Sequence, residues 1–183
     1  MKKRLTLIQM DVHVNDVEYN YNRVQELLSQ SLSENPDIIV LPETWNTGFY
    51  PSTDLINIAD ANGDRTKALL RAFSKEHNIN IVGGSVAVAK ENLVFNTSYV
   101  YNRSGELVGE YSKMHGFSPA KEDKYFASGT HTTHFELDGI PCSTVICYDI
   151  RFPELVRMAA LPGTELLFVP AQWPTMRLRH WQV

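Results

Sequence analysis

Cysteine is scarce in this chain: two residues in 183, five positions apart at Cys142 and Cys147. That excludes a disulfide-stapled scaffold and, with no second pair at ligand spacing, a cysteine zinc site. Apolar runs are short, and none approaches the roughly 20 consecutive residues that a membrane helix needs. The opening Met1-Lys2-Lys3-Arg4 runs straight into polar-interrupted strand text with no cleavable apolar segment, so the expected location is the cytoplasm. Positive charge is also in short supply. Seventeen Lys and Arg against 21 Asp and Glu give a net charge of −4, with no basic stripe of the kind that displaces counterions from nucleic acid. Repeats, low-complexity tracts and linkers are lacking too, and the 43% apolar content fits one domain over residues 1–183.

What is present is an alternation of strand and helix patterns. Leu5 to Met10 reads as a short buried strand. Val17, Tyr21, Val24, Leu28 and Leu32 then recur on one helical face, with Asn15 or Asp16 placed to cap it. Pro36 closes that segment, and Asp37 to Leu41 is an apolar run of the kind covered on both faces. A second helical pattern runs from Gly63-Asp64 to His77-Asn78, and strand character resumes over Ile79 to Val88 with Gly83-Gly84 inside it. Turns at Asn102–Gly105 and Asp138-Gly139 mark two hairpins. Pro153 suits the first turn of a helix, and Glu165 to Val169 forms a last buried strand. Strands separated by helices and mixed with hairpins predict a layered α/β domain.

Three polar residues stand just past apolar strand runs: Glu43, Lys113 and Cys147. Ligands of open α/β sheets bind beyond strand ends, so the three are expected to converge. Singly, each has a plain structural explanation. A cysteine in an apolar strand packs like a small hydrophobe, which is the reading for Cys142, and a lone charged residue at a strand end is simply solvated. Together they suit covalent catalysis. A thiol that is mostly protonated at neutral pH needs a base before it attacks a carbonyl, and the oxyanion that forms needs donors. Glu43 can take and return the proton. Lys113 and the backbone N–H of Tyr148, next to the nucleophile, can hold the oxyanion.

The words around these residues are Leu41-Pro42-Glu43-Thr44, Tyr111-Ser112-Lys113-Met114-His115 and Cys147-Tyr148-Asp149-Ile150-Arg151-Phe152-Pro153-Glu154-Leu155. In this order they resemble the nitrilase superfamily of carbon–nitrogen hydrolases, whose Glu-Lys-Cys triad falls in these contexts. The resemblance implies a four-layer α-β-β-α sandwich, a cysteine thioester and no cofactor. It also places a second carboxylate at Glu122, orienting the lysine or the substrate; Phe117, Tyr125-Phe126 and Gly129 match the same loop. Family members commonly extend further, so the resemblance implies a chain truncated at its C-terminus, and a homodimer.

The segment Trp173-Pro174-Thr175-Met176-Arg177-Leu178-Arg179-His180-Trp181 resembles the ω-amidase branch, which deamidates 2-oxo acids such as 2-oxoglutaramate. An anionic oxo acid needs a clamp, and Arg151 and Arg177 are the candidate donors because a guanidinium grips a carboxylate with two bonds. Arg151 instead pairs with Asp149 or Glu154 if its work is to hold the nucleophile loop. Phe49, Tyr50 and Trp173 are candidate apolar walls, and His115 either lines the pocket or fixes its loop. His131 and His134 lack a third ligand at suitable spacing, so no metal is expected. Two alternatives stay open: another carbon–nitrogen hydrolase (a nitrilase, an N-carbamoyl amide hydrolase or a deaminated glutathione amidase), or a catalytically silent binding module on the same fold.

Overall fold

The computed structural model describes residues 2–49 and 54–182. Its first strand, β1 (Leu5–Leu7), leads to helix α1 (Val17–Ser31), which starts where the Asp16 carboxylate accepts the Tyr19 N–H at 3.1 Å. Asp16 therefore caps the helix, and the stripe Tyr21, Val24 and Leu28 is buried. β2 (Ile38–Val40) follows, buried throughout, then a short helix α2 (Leu55–Ile58) and a two-residue strand β3 (Asp60–Ala61), neither evident from periodicity. Helix α3 (Asp64–His77) ends at Asn78, whose left-handed backbone (φ 55°) stops it where the sequence predicts.

The expected Ile79–Val88 strand is present but broken. β4 (Asn80–Val82) and β5 (Val86–Lys90) both run antiparallel to the nine-residue β6 (Leu93–Tyr101). Val82 faces Val100 and Val86 faces Thr97, so the two are parts of one strand interrupted at residues 83–85. β1 and β2 continue the sheet beyond β4 in parallel, β3 lies parallel to β5, and β7 (Leu107–Ser112) closes the other side of β6 as the expected hairpin. A short helix α4 (Glu122–Tyr125) interrupts what reads as a loop.

A second sheet holds β8 (His134–Leu137), β9 (Ile140–Thr144) and β10 (Leu166–Phe168) in the order β10-β9-β8. Asp138 and Gly139, at φ 52° and 80°, supply the two left-handed positions that a tight β8–β9 turn demands. Helix α5 (Pro153–Ala160) opens with proline at its first turn, and α6 (Leu178–Trp181) is a single turn near the end of the described chain.

Three apolar interfaces stack these elements. Tyr21, Val24, Leu28 and Leu70 of α1 and α3 cover Ile39, Ile81, Val86 and Tyr99 on one face of the large sheet. Its other face, with Ile38, Val40, Val82 and Val100, packs on Phe135, Leu137, Cys142 and Phe168 of the small sheet. Leu155 and Ala159 of α5 then cover Val145 and Leu167 on the outside. The result is the expected α-β-β-α sandwich. Each fully buried aliphatic side chain contributes roughly 1.5–3 kcal/mol, so the inter-sheet seam holds the two halves of the site in place.

Candidate active site

Glu43 stands three residues past β2, where the interrupted strand wraps around it. The Ser85 N–H donates to the Pro42 carbonyl at 3.0 Å, the Thr44 N–H to Ser85 Oγ at 3.0 Å, and the Trp45 N–H to the Ser85 carbonyl at 3.1 Å. Gly84, at φ 62°, is required here because a Cβ would collide with the Pro42 carbonyl oxygen. The break in the strand is thus the socket that aims Glu43. Lys113 follows β7 directly. Its carbonyl accepts the Gly129 N–H at 2.8 Å, and a Cβ on Gly129 would meet the Ser112 carbonyl.

The sequence sets Cys147 just past an apolar strand, and β9 stops short of it at Thr144. Cys147 opens a short 3₁₀ turn (Cys147–Arg151) with its own backbone left-handed at φ 47°. A non-glycine residue held there stores strain of order 1–3 kcal/mol, as does Thr44 at φ 41° beside the glutamate. The turn is tied down by Asp149. Its buried carboxylate accepts the Tyr111 hydroxyl at 2.7 Å, the His115 N–H at 2.9 Å and the Ile146 N–H at 3.1 Å, and contacts His115 Nδ1 at 3.0 Å.

These loops bring together the three residues expected to converge and the second expected carboxylate, Glu122. Glu43, Lys113, Glu122 and Cys147 are 0%, 3%, 1% and 3% exposed, so one ammonium, two carboxylates and a thiol share a site closed to bulk water. Lys113 Nζ donates to Glu43 Oε1 at 2.7 Å and to both oxygens of Glu122 at 2.8 Å. Burial alone favours the neutral amine, yet the two carboxylates outweigh it and hold the ammonium proton well above the usual lysine range. Burial pushes the Cys147 thiol far up; nearby Glu43 adds to this and Lys113 opposes it. The Cys147 thiol therefore keeps its proton, close to the Glu43 carboxyl group.

Cys147 forms the floor of a pocket of about 310 Å³ lined by Phe49, Phe117, Tyr148, Arg151, Trp173, Arg177 and His180 among others. Both candidate guanidiniums reach it. Arg177 lies over the Phe117 ring at 5.1 Å, and Arg151 lies 5.5 Å from the Trp173 ring centre, with a long contact of 3.5 Å to the His180 carbonyl. Pairing of Arg151 with Asp149 or Glu154 is not among the ion pairs of the described residues: the Asp149 oxygens are taken by Tyr111, His115 and the Ile146 backbone, so Asp149 itself holds the Cys147 turn. His115, on the segment after β7, packs against that turn, its ring stacked on Phe152 at 3.6 Å. Trp173 both walls the pocket and packs on the cluster of Tyr111, Ile146 and Cys147. Tyr50 lies outside the described residues. Cys142 is buried in the inter-sheet core.

Several site residues escape the sequence reading. Asn96 on β6 donates to both Glu43 and Glu122, and Gln172 grips Glu43 twice, through its backbone N–H to Oε2 at 2.9 Å and through Nε2 to the carbonyl at 2.6 Å. His180 in the pocket wall is a third. The polar triplet Asn96-Thr97-Ser98 inside an otherwise apolar strand was the available signal for the first.

The family model for carbon–nitrogen hydrolases matches residues 4–183. The chain belongs to that family. It is 38% identical over its whole length to 2-oxoglutaramate amidase of Bacillus subtilis, covering 70% of that protein. It is 33% identical to a hydrolase encoded in the agr operon of Staphylococcus aureus, with 97% of this chain and 69% of that one aligned. A CN-hydrolase superfamily protein from Xanthomonas campestris, whose crystal structure carries an arsenic adduct in its active site, superposes with a TM-score of 0.86 at 30% identity, over 98% of this chain and 68% of that one. The sandwich is thus the nitrilase-type fold, and the reaction class is hydrolysis of a carbon–nitrogen bond in an amide.

Proposed function

We propose that the chain is an ω-amidase that hydrolyses the terminal amide of a small 2-oxo acid such as 2-oxoglutaramate, through a thioester on Cys147, with release of ammonia. The observation that carries this reading is the juxtaposition of opposites in one pocket. A buried ammonium held between two carboxylates meets a thiol at the floor, and two guanidiniums stand at the wall. The floor suits an amide, and the guanidiniums suit the carboxylate at the other end of the substrate. Kinship with the B. subtilis 2-oxoglutaramate amidase points to the same substrate.

In the first half-reaction Cys147 Sγ bonds to the amide carbon while its proton passes to Glu43. The carbonyl oxygen gathers negative charge, which Lys113 and the Tyr148 N–H stabilise. One bifurcated N–H of Lys113 can serve both Glu122 oxygens, which leaves another for the oxyanion. The carbon–nitrogen bond then breaks and Glu43 returns the proton to the departing ammonia. In the second half-reaction Glu43 takes a proton from water, the hydroxyl attacks the thioester, and the thiol leaves re-protonated. Glu122 keeps Lys113 aimed. Phe49 and Trp173 exclude water, and His115 supports the nucleophile loop through Asp149.

No helix among the described residues is long and apolar enough to cross a membrane, and we place the enzyme in the cytoplasm. Met158 and Leu161, exposed on and just after α5, offer an apolar patch for a second copy, in keeping with a homodimer that sedimentation would reveal. The deciding experiment measures ammonia release from 2-oxoglutaramate, a nitrile, a carbamoyl amino acid and deaminated glutathione, with wild type and Cys147→Ser. The oxo-acid amide should be turned over fastest, and mass spectrometry should find an acyl group on Cys147. If it is the poorest of the panel, the assignment is wrong.

A further inference from the structure

Asn96 lies in the middle of β6, fully buried, and its side-chain amide faces both acidic residues of the site. Nδ2 donates to Glu43 Oε1 at 3.0 Å and to Glu122 Oε1 at 3.1 Å. The same two oxygens accept from Lys113 Nζ at 2.7 and 2.8 Å. Donors and acceptors therefore alternate around a closed ring of four, one donor charged and one neutral. The Asn96 backbone carbonyl also accepts the Lys113 N–H at 2.8 Å, so the two donors are fixed to each other.

The orientation of the amide is forced. Turned over, it would set a carbonyl oxygen against two carboxylates. As it stands, Oδ1 is buried with no hydrogen-bond partner among the described residues, a cost that folding alone does not explain. Each carboxylate oxygen has two lone pairs. Glu43 Oε1 receives Asn96 and Lys113 and is full, whereas Oε2, among the described residues, receives the Gln172 N–H alone and keeps one position open.

We propose that Asn96 is a positioning residue for the hydrolysis described above: with Lys113 it fills Glu43 Oε1, which confines the travelling proton to Oε2. When the sulfur–carbon bond forms, the thiol proton moves to that oxygen, and it leaves the same oxygen for the nitrogen as the carbon–nitrogen bond breaks. The charged and titratable groups facing Glu43 are Lys113 after β7, Glu122 on α4 and Cys147 on the nucleophile turn. From β6 and the segment after β10 it meets the neutral Asn96 and Gln172.

This rests on Glu43 as the proton carrier, so the test includes Glu43→Gln. Asn96→Leu keeps the volume and removes the donor; Asn96→Ser keeps one shorter donor. Each is assayed from pH 5 to 9 for turnover of 2-oxoglutaramate and for alkylation of Cys147 by iodoacetamide, with folding followed by circular dichroism. For Asn96→Leu, kcat should fall roughly 10–100-fold with KM within about threefold. Lost donors favour the protonated carboxyl, so the acidic limb of both profiles should move to higher pH by about one unit. Asn96→Ser should recover part of both effects. If the rates fall with an unmoved limb, or only in proportion to lost folded protein, Asn96 is structural filler and the inference is overturned. Should Asn96→Leu not fold, the limb of Asn96→Ser decides alone. A Glu43→Gln profile identical to wild type would instead remove the proton carrier itself.

Discussion

Cys142 and Cys147 lie five residues apart on one stretch of chain, both free and both buried, yet their surroundings differ in every respect that matters for chemistry. Cys142 lies in a regular strand with its Cβ pointing into the seam between the sheets, among Ile38, Val82, Phe135 and Phe168. Its thiol donates to the Ile140 carbonyl at 3.2 Å. Cys147 lies past the strand end on a left-handed backbone, beside an ammonium and two carboxylates, at the floor of a pocket. Burial disfavours the thiolate at both positions. What separates them is a carboxylate nearby and a pocket alongside, so under the proposed mechanism reactivity belongs to the strand end and not to the thiol.

The largest expected effect tests that separation directly. Cys147→Ser and Glu43→Gln should each lower kcat by roughly 10³–10⁵, because either change removes half of one proton-coupled nucleophile. Cys142→Ser should leave kcat within about threefold of wild type. Stopped assays for ammonia with matched amounts of folded protein read both, and a Cys142 variant as inactive as Cys147→Ser would erase the distinction.

Lys113→Met comes next. It removes an oxyanion donor, for a loss of about 10²–10³ in kcat with a smaller change in KM. It also leaves Glu43 and Glu122 facing one another without the cation between them. Two like charges cannot both stay ionised in a closed site, so the variant should regain stability as pH falls and one carboxylate takes up a proton. Thermal melts between pH 8 and pH 5 check the sign, and a variant whose melting point only falls on acidification would refute it.

Asp149→Asn sharpens the comparison at the backbone. The change keeps the size of a side chain that accepts four contacts from Tyr111, His115 and the Ile146 N–H, but halves its capacity to accept. The strained Cys147 turn should loosen, with kcat down about tenfold and stability down by about 1–3 kcal/mol. Denaturant titration and the alkylation rate of Cys147 measure the two parts.

Glu43, Lys113 and Cys147 were legible because each follows an apolar run and because the words around them, in that order, resemble those of the nitrilase superfamily. The hairpin turns and the Asp16 cap were legible for local reasons as well. What stayed hidden depends on pairing between distant strands. Asn96 is one polar residue within β6 until β7 and α4 deliver Lys113 and Glu122 to it. The break at residues 83–85 reads as a glycine-softened strand until β6 is seen to pair with both halves. Gln172 lies 129 positions from the carboxylate it holds, and no local pattern reports such a contact.

The smallest expected effect concerns a property that the two cysteines share. Burial pushes the Cys142 thiol up to about 11 from its ordinary 9.0. The folded protein therefore keeps a proton that the unfolded chain gives up, and the linkage follows from that. Stability is unaffected by this group below about pH 9 and declines as pH rises towards 11, by about 1–2 kcal/mol. Cys142→Ala should cost about 1 kcal/mol at pH 7 through lost packing and then decline less steeply between pH 9 and pH 11. Buried tyrosines, Tyr21, Tyr99 and Tyr111 among them, are also held up by burial and add a common slope in the upper part of that window. The informative quantity is thus the difference between wild type and variant in urea titrations at each pH. Parallel curves from pH 7 to pH 11 would mean that the Cys142 thiol does not titrate differently in the folded state, and that its burial in the seam carries no electrostatic cost.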